Sequence, residues 1–362
     1  MITPRKIRVL VVDDSAMVRR AISDALAQDS DLEVVGTACD SYVARDKILE
    51  LNPDVLTLDI EMPRMDGLTF LRVLQQHRPM PVVVVSSLTQ TGSQKAVEAL
   101  AAGAVEVVGK PNSAWTIGEL RTQLPRLVKG AARARVKAAR AGAPAGPVRS
   151  ASTNHYDPRQ LLVLGASTGG TEALTSVLSQ LPDGLPGICV VQHMPPVFSR
   201  AFANRLNECC TFEVREAADG DEARPGLALV APGDYHMSVG WEGGRYRVRL
   251  AQGPPLHHTR PAVDVLFNSA ASCAGYHAVA VLLTGMGSDG AQGMRKLKDT
   301  GATTLAQDEE TSVVYGMPRA AVEMGVVDHV LPLDQMPQAI LDALESRMPK
   351  ARHPLPAGCD HK

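Results

Sequence analysis

Ile7-Arg8-Val9-Leu10-Val11-Val12 runs directly into Asp13-Asp14-Ser15, a short aliphatic strand that ends on two carboxylates. An apolar run this brief, closed by acids, is too short and too acidic at its end for a signal peptide or a membrane helix, and it reads as a strand buried on both faces. Outward from it the pattern alternates: helix-like residues 16–27, strand-like 32–37, helix-like 42–51, strand-like 55–58, helix-like 68–76, strand-like 82–86, helix-like 94–102, strand-like 105–108, and a last helix from about 117. Near-continuous Val/Leu strands separated by helices predict a parallel sheet covered on both faces, so residues 1–125 form one (βα)5 domain.

The alternation resumes at 161–164 and runs through a helix at about 171–181, strands at 188–192 and 278–283, and helices near 198–206 and 292–300. Residues 158–348 are therefore expected to form a second doubly wound α/β domain, with a tail at 349–362. Between the domains, residues 126–157 form a linker. Its first part, 126–150, carries seven Lys or Arg and no acid; its Ala/Arg stretch is able to extend the last helix, whereas Gly142-Ala143-Pro144-Ala145-Gly146-Pro147 cannot be packed core. With no aromatic residue interleaved in the basic run, it reads as a solvated tether and not as a nucleic-acid arm.

Composition narrows the class further. The 362 residues suffice for two or three domains without staples, and 45% apolar with 4% aromatic suits an aliphatic α/β protein. With 37 basic residues against 39 acidic ones, the formal charge of −2 gives no global attraction to nucleic acid or an anionic membrane. The six cysteines (Cys39, Cys189, Cys209, Cys210, Cys273, Cys359) lack the spacing of a zinc site and the density of a disulfide scaffold, which fits a soluble, cytoplasmic protein.

In an open parallel sheet, ligands bind beyond the carboxyl ends of the strands. Asp13 and Asp14 close the first strand and Asp59 the third; Ser87 follows the fourth and Lys110 the fifth. Converging carboxylates repel unless a hard divalent cation, most plausibly Mg2+, joins them, and a hydroxyl and an ammonium at the same edge complete a phosphate site. These pieces, Val11-Val12-Asp13-Asp14-Ser15, Asp59-Ile60-Glu61-Met62-Pro63-Arg64-Met65-Asp66-Gly67, Ser87 and Lys110-Pro111, resemble the response-regulator receiver family. The resemblance implies that Asp59 is the phosphoacceptor, that Asp13, Asp14, Asp59 and the Glu61 carbonyl hold Mg2+, and that Ser87 and Lys110 sense the phosphoryl group. Receivers usually carry an aromatic switch residue three places before the lysine; Val107 stands there.

In the second half, strand 161–164 leads into Gly165-Ala166-Ser167-Thr168-Gly169-Gly170-Thr171. That turn fits either a G-x-S-x-G nucleophile or a loop cradling phosphate at a helix N-terminus. His193 ends the next strand, and Asp289 lies in the glycine-rich loop after strand 278–283. Serine, histidine and carboxylate at one sheet edge favour nucleophilic catalysis, in which an imidazole takes the hydroxyl proton and a carboxylate orients the imidazole. The chain order Ser, His, Asp differs from that of the α/β-hydrolases. His257-His258 is read as lining a groove or as surface, because adjacent residues of an extended chain face opposite ways and no third metal ligand is spaced near them. Cys209-Cys210 is read as incidental.

Residues 160–345 resemble the catalytic domain of the chemotaxis protein-glutamate methylesterase family, through the Ser167 loop, Gln192-His193-Met194, residues 231–237, Arg260-Pro261-Ala262-Val263-Asp264, residues 283–290, 306–308 and 315–318. The two resemblances together imply a flavodoxin-like receiver ahead of a Rossmann-like parallel-sheet hydrolase. They further imply Ser167, His193 and Asp289 as catalytic residues; because the oxyanion needs preorganised donors, the loop backbone at Met286 with Thr168 nearby is expected to supply them, and Arg260 is a further expected oxyanion or substrate residue. No cofactor is expected for the esterase reaction. The implied substrates are methyl-accepting receptors, whose glutamines are also candidates for deamidation, and the implied phosphodonor is a sensor histidine kinase. Neither nucleic-acid binding nor direct membrane insertion is expected. A competing expectation is a two-component response regulator whose C-terminal domain binds a phospho-ligand without catalysis.

Overall fold

The computed structural model describes residues 5–87, 89–110, 117–136 and 156–346. The first domain alternates β1 (Ile7–Val12), α1 (Ala16–Leu26), β2 (Leu32–Ala38), α2 (Ser41–Leu51), β3 (Val55–Asp59), α3 (Gly67–His77), β4 (Val82–Ser86), α4 (Gln90–Ala101), β5 (Glu106–Gly109) and α5 (Ile117–Ala132). Its five strands are parallel in the order β2-β1-β3-β4-β5. Every residue of β3, β4 and β5 is buried, as expected for strands covered on both faces. Asp40, Asp66 and Thr89 stand at helix N-caps, where their side-chain oxygens accept backbone amides of the first turn.

The last helix continues past the expected domain end into the basic segment, and through Pro125. Leu120, Leu124, Val128 and Ala131 recur at helical spacing and are all fully buried, so one apolar stripe holds the helix together across the hydrogen bond that proline cannot make. The Gly/Pro stretch 142–147, the tail 349–362 and Pro111 lie outside the described residues.

The second domain continues with β6 (Leu161–Ala166), α6 (Gly170–Leu178), β7 (Gly187–Gln192), α7 (Phe198–Cys209), β8 (Glu213–Glu216), β9 (Leu227–Val230), β10 (His236–Glu242), β11 (Arg245–Ala251), α8 (Val263–Cys273), β12 (Ala278–Leu282), α9 (Ala291–Asp299), β13 (Thr303–Gln307), α10 (Met317–Glu323), β14 (His329–Leu331) and α11 (Met336–Glu345). Seven strands form one parallel sheet in the order β14-β13-β12-β6-β7-β9-β8, while β10 and β11 make an antiparallel hairpin. The chain leaves β6 on one side towards β7 and returns on the other side as β12. That reversal is the topological switch point, where an α/β sheet opens a crevice.

The two domains share a surface. α4 packs on α6 and α7, and a single cluster of buried apolar side chains continues from the first sheet into the second domain. Met286, in the loop after β12, touches α5 so closely that a Cβ added at Gly130 would lie 2.8 Å from its sulfur. Arg135 donates its backbone N–H to the Val313 carbonyl and pairs with Glu309.

Candidate active site

At the first sheet's edge, β1 and β3 deliver Asp13 and Asp59, both fully buried. Local geometry fixes one oxygen of each: Asp13 Oδ1 accepts the Ser15 amide at 2.8 Å and Asp59 Oδ1 accepts the Glu61 amide at 3.0 Å. The other oxygens face Lys110 Nζ, at 3.2 Å from Asp13 and 2.7 Å from Asp59. Burial pushes the Asp59 carboxyl up to about 6 against the pull of Lys110, and Asp13 is raised for the same reason. Gly67 is required here because a Cβ would lie 1.9 Å from the Asp59 carbonyl oxygen. Ser87 Oγ meets Thr89 Oγ1 at 3.2 Å beside the same edge, and Val107 is buried in β5.

Asp13, Asp14 and Asp59 bring ligand oxygens within 4.8 Å of one another. The Oδ2 atoms of Asp13 and Asp59 are buried and have the Lys110 ammonium as their charged neighbour. Three hard oxygen donors gathered at one edge, two of them on carboxyls that burial has raised, fit a divalent cation such as Mg2+.

At the switch point of the second sheet, the ends of β6 and β7 and the loop after β12 bring three groups together. His193 Nδ1 lies 3.0 Å from Ser167 Oγ, and His193 Nε2 lies 2.7 Å from Asp289 Oδ2. Since a carboxylate only accepts, the ring proton sits on Nε2 and the Nδ1 lone pair faces the serine hydroxyl. The Ser167 amide donates to the Thr284 carbonyl at 3.0 Å, and Gln192 Nε2 donates to the Ser167 and His193 carbonyls, so the loops after β6 and β7 are tied to each other. Gly285 approaches so closely that a Cβ there would lie 2.8 Å from the Ser167 Cβ.

Asp289 sits at the N-terminus of α8, where the Val263 amide donates to Oδ2 at 2.7 Å and the Asp264 amide to Oδ1 at 2.9 Å. Burial alone would raise its carboxyl; the His193 bond and these two amides outweigh that and hold it below the ordinary carboxylate range. It is therefore ionised and able to stabilise an imidazolium.

The other expected substrate residues are engaged elsewhere in this conformation. Thr168 Oγ1 donates to Glu106 Oε2 of the first domain at 3.0 Å. Arg260 pairs with Asp234 and donates to the Gly253 carbonyl. Met286 and Gly287 line a cavity of about 550 Å3 together with Arg133, Arg135, Tyr315 and Arg319.

Two features have no signature in the residue pattern. Glu106 is a buried carboxyl bridging the domains: burial pushes it up to about 7, only partly offset by the Val107 amide, the Thr168 hydroxyl and the nearby Arg126. No spacing rule links residue 106 to residue 168. The second is a correction. His257 and His258 are not extended: both lie at positive φ, 52° and 63°, at the centre of a tight turn closed by reciprocal Leu256 and Thr259 backbone bonds. Two further ligand-type groups do lie beside His257, since Asp264 and Asp289 come within 4.8 Å of it and of each other. The Arg260-Asp264 motif contained one of them.

A hydrolase-type serine, histidine and aspartate at the switch point of one parallel sheet, packed against a receiver-type acidic pocket on another, define a class: a serine hydrolase physically joined to a phosphoacceptor module. Comparison with known proteins agrees at both ends. Residues 162–340 match the CheB methylesterase family and residues 9–121 the response regulator receiver domain. The chain is 51% identical over 338 residues to the protein-glutamate methylesterase/protein-glutamine glutaminase 2 of Syntrophus aciditrophicus, covering 93% of this chain and 98% of that one. The Salmonella choleraesuis protein of that description is 49% identical over 343 residues, covering 93% and 96%. The crystal structure of the Thermotoga maritima CheB methylesterase catalytic domain is similar with a TM-score of 0.50 and 40% identity, covering 51% of this chain and 97% of that one. The chain belongs to the protein-glutamate methylesterase/protein-glutamine glutaminase family.

Proposed function

We propose that this chain hydrolyses γ-glutamyl methyl esters on methyl-accepting chemotaxis receptors, and deamidates receptor glutamines by the same acyl chemistry, under control of phosphorylation at Asp59. The observation that carries the reading is the continuous bond path from Ser167 Oγ through both nitrogens of His193 to Asp289. Ser167 Oγ attacks the ester carbonyl while His193 Nδ1 takes its proton. Collapse of the tetrahedral intermediate breaks the carbon–methoxy bond, and His193 returns the proton to the departing methanol. Water then attacks the acyl-serine with the same base, releasing glutamate and restoring Ser167. Asp289 stabilises the imidazolium in both halves. Thr168 and the backbone at Met286 are assigned to the oxyanion, and Arg260 to the groove wall.

The regulatory half of the reading rests on contacts between the domains. Glu106 occupies the Thr168 hydroxyl next to the nucleophile, Arg126 of α5 donates to the His257 carbonyl at 3.2 Å, and Arg135 is bonded to Val313. The receiver thus covers the catalytic edge in this conformation. Asp13, Asp14, Asp59 and the Glu61 carbonyl would hold Mg2+, which neutralises charge as a phosphoryl group arrives from a sensor kinase. Ser87 and Lys110 then bind that group, and Lys110 leaves its present partners. Among the described residues no helix is long and apolar enough to cross a membrane.

The test is methanol release from methylated receptor, with and without a small-molecule phosphodonor. Stimulation by the donor is expected, and removal of residues 1–150 should raise the basal rate. A folded fragment with unchanged or lower basal activity would remove inhibition by the receiver.

A further inference from the structure

The turn at 256–259 places two non-glycine, non-asparagine residues at positive φ in succession, the backbone for which Asn-Gly is the preferred pair. Such an outlier persists only where surrounding contacts hold it, and it points from geometry towards a role. What the turn achieves is visible in its side chains. His257 Nε2 lies 2.9 Å from Asp264 Oδ2, and Thr259 Oγ1 lies 3.4 Å from His193 Nε2. Asp264 is 2% exposed, and its other oxygen accepts the Gly293 amide at 2.7 Å. Its own backbone amide is one of the two that hold Asp289. Two carboxylates are therefore buried side by side, and His257 Nε2 stands between them, 3.9 Å from Asp289 Oδ1.

We propose that His257 is a positioning residue for the triad: its Nε2–H, presented by the left-handed turn, fixes Asp264, and Asp264 in turn fixes the carboxylate that orients His193. The donor satisfies a buried acceptor and separates the two carboxylates, so that Asp289 keeps the rotamer in which Oδ2 meets His193. Neither His257 nor Asp264 touches substrate. The inference rests on the reading of Ser167, His193 and Asp289 as the catalytic groups.

The experiment compares His257→Gly and His257→Gln in the full chain, activated with a phosphodonor, by methanol release and thermal unfolding. Glycine relaxes the left-handed backbone, which offsets part of the cost of leaving Asp264 Oδ2 without its donor, so the unfolding temperature should stay close to that of the parent while kcat falls roughly 10- to 100-fold with KM within about twofold, the scale of loss from a displaced catalytic group. Glutamine places an amide N–H where Nε2 stood and should recover most of that loss. A glycine variant with kcat within about twofold of the parent overturns the proposal. So does a loss of kcat that tracks a lower unfolding temperature, a change confined to KM, or a glutamine variant no better than glycine. Ser167→Ala runs alongside: if it keeps full turnover, the triad reading itself fails, whereas an inactive Ser167→Ala with a fully active His257→Gly removes His257 alone.

Discussion

Replacing Glu106 with glutamine tests the link between the domains. The carboxyl is 7% exposed in the covered conformation, where its pKa is about 7 against an ordinary 4.5; burial is the main cause, and Arg126 is the charged group facing it. Opening the domains returns it to solvent and to its ordinary value. Because the covered form binds this proton more tightly, that form is favoured at low pH and penalised as pH rises from 4.5 through 7. The penalty is about 2 kcal/mol at pH 6 and about 3 kcal/mol at pH 8, so the opening equilibrium shifts on the order of tenfold between them. Glutamine resembles the protonated acid and does not titrate. The assay is basal methanol release by unphosphorylated parent and Glu106→Gln, each measured from pH 6 to 8, because their ratio cancels the pH dependence of the triad. Parent activity relative to the variant should climb on the order of tenfold across that window. A flat ratio refutes the reasoning.

Ser167→Ala should lose turnover by on the order of 10⁶ while still binding receptor, as measured by methanol release and co-sedimentation; weakened binding with no esterase activity in the parent would instead support a phospho-ligand module. Asp289→Asn should cost about 10⁴ in kcat with little change in KM, since the amide cannot hold the Nε2–H tautomer. Asp59→Asn, and chelation of divalent metal from the parent, should each abolish stimulation by phosphodonor while leaving basal methanol release within about twofold.

The sequence exposed what the parallel-sheet rule can reach. Asp13, Asp59, Ser167 and His193 all follow strands whose apolar runs are unmistakable, so their meeting at sheet edges is legible in the residue pattern alone; Asp289, deeper in a glycine-rich loop, is legible from its neighbours. What stayed hidden depends on long-range partners or on backbone geometry with no composition signal. Glu106 begins a short buried strand, and only the packing of one domain on the other reveals its hydroxyl partner. His257 and His258 occupy a turn without glycine, asparagine or proline at its centre, so the chain there reads as extended. The continuation of α5 past Pro125 is carried by buried residues on both sides of the proline, a stripe that outweighs the local breaker.

The valine at 107 sharpens how a phosphoryl signal can leave the receiver. A valine buried in β5 has no ring to swing between inward and outward positions, so an aromatic rotamer switch is closed to this chain. Yet β5 ends beside Lys110, which bridges Asp13 and Asp59, and begins at Glu106, which holds Thr168. The four residues of this strand span about 10 Å, and its neighbour β4 pairs along its whole length. Drawing Lys110 onto a phosphoryl group therefore pulls on a strand whose far end is anchored at the nucleophile loop. On the proposed reading, displacement of the β4–β5 edge with α4, the helix packed on α6 and α7, would take the place of a rotating ring. On this account the output does not depend on the side chain at 107: Val107→Tyr should leave phosphodonor stimulation within about twofold, measured by methanol release.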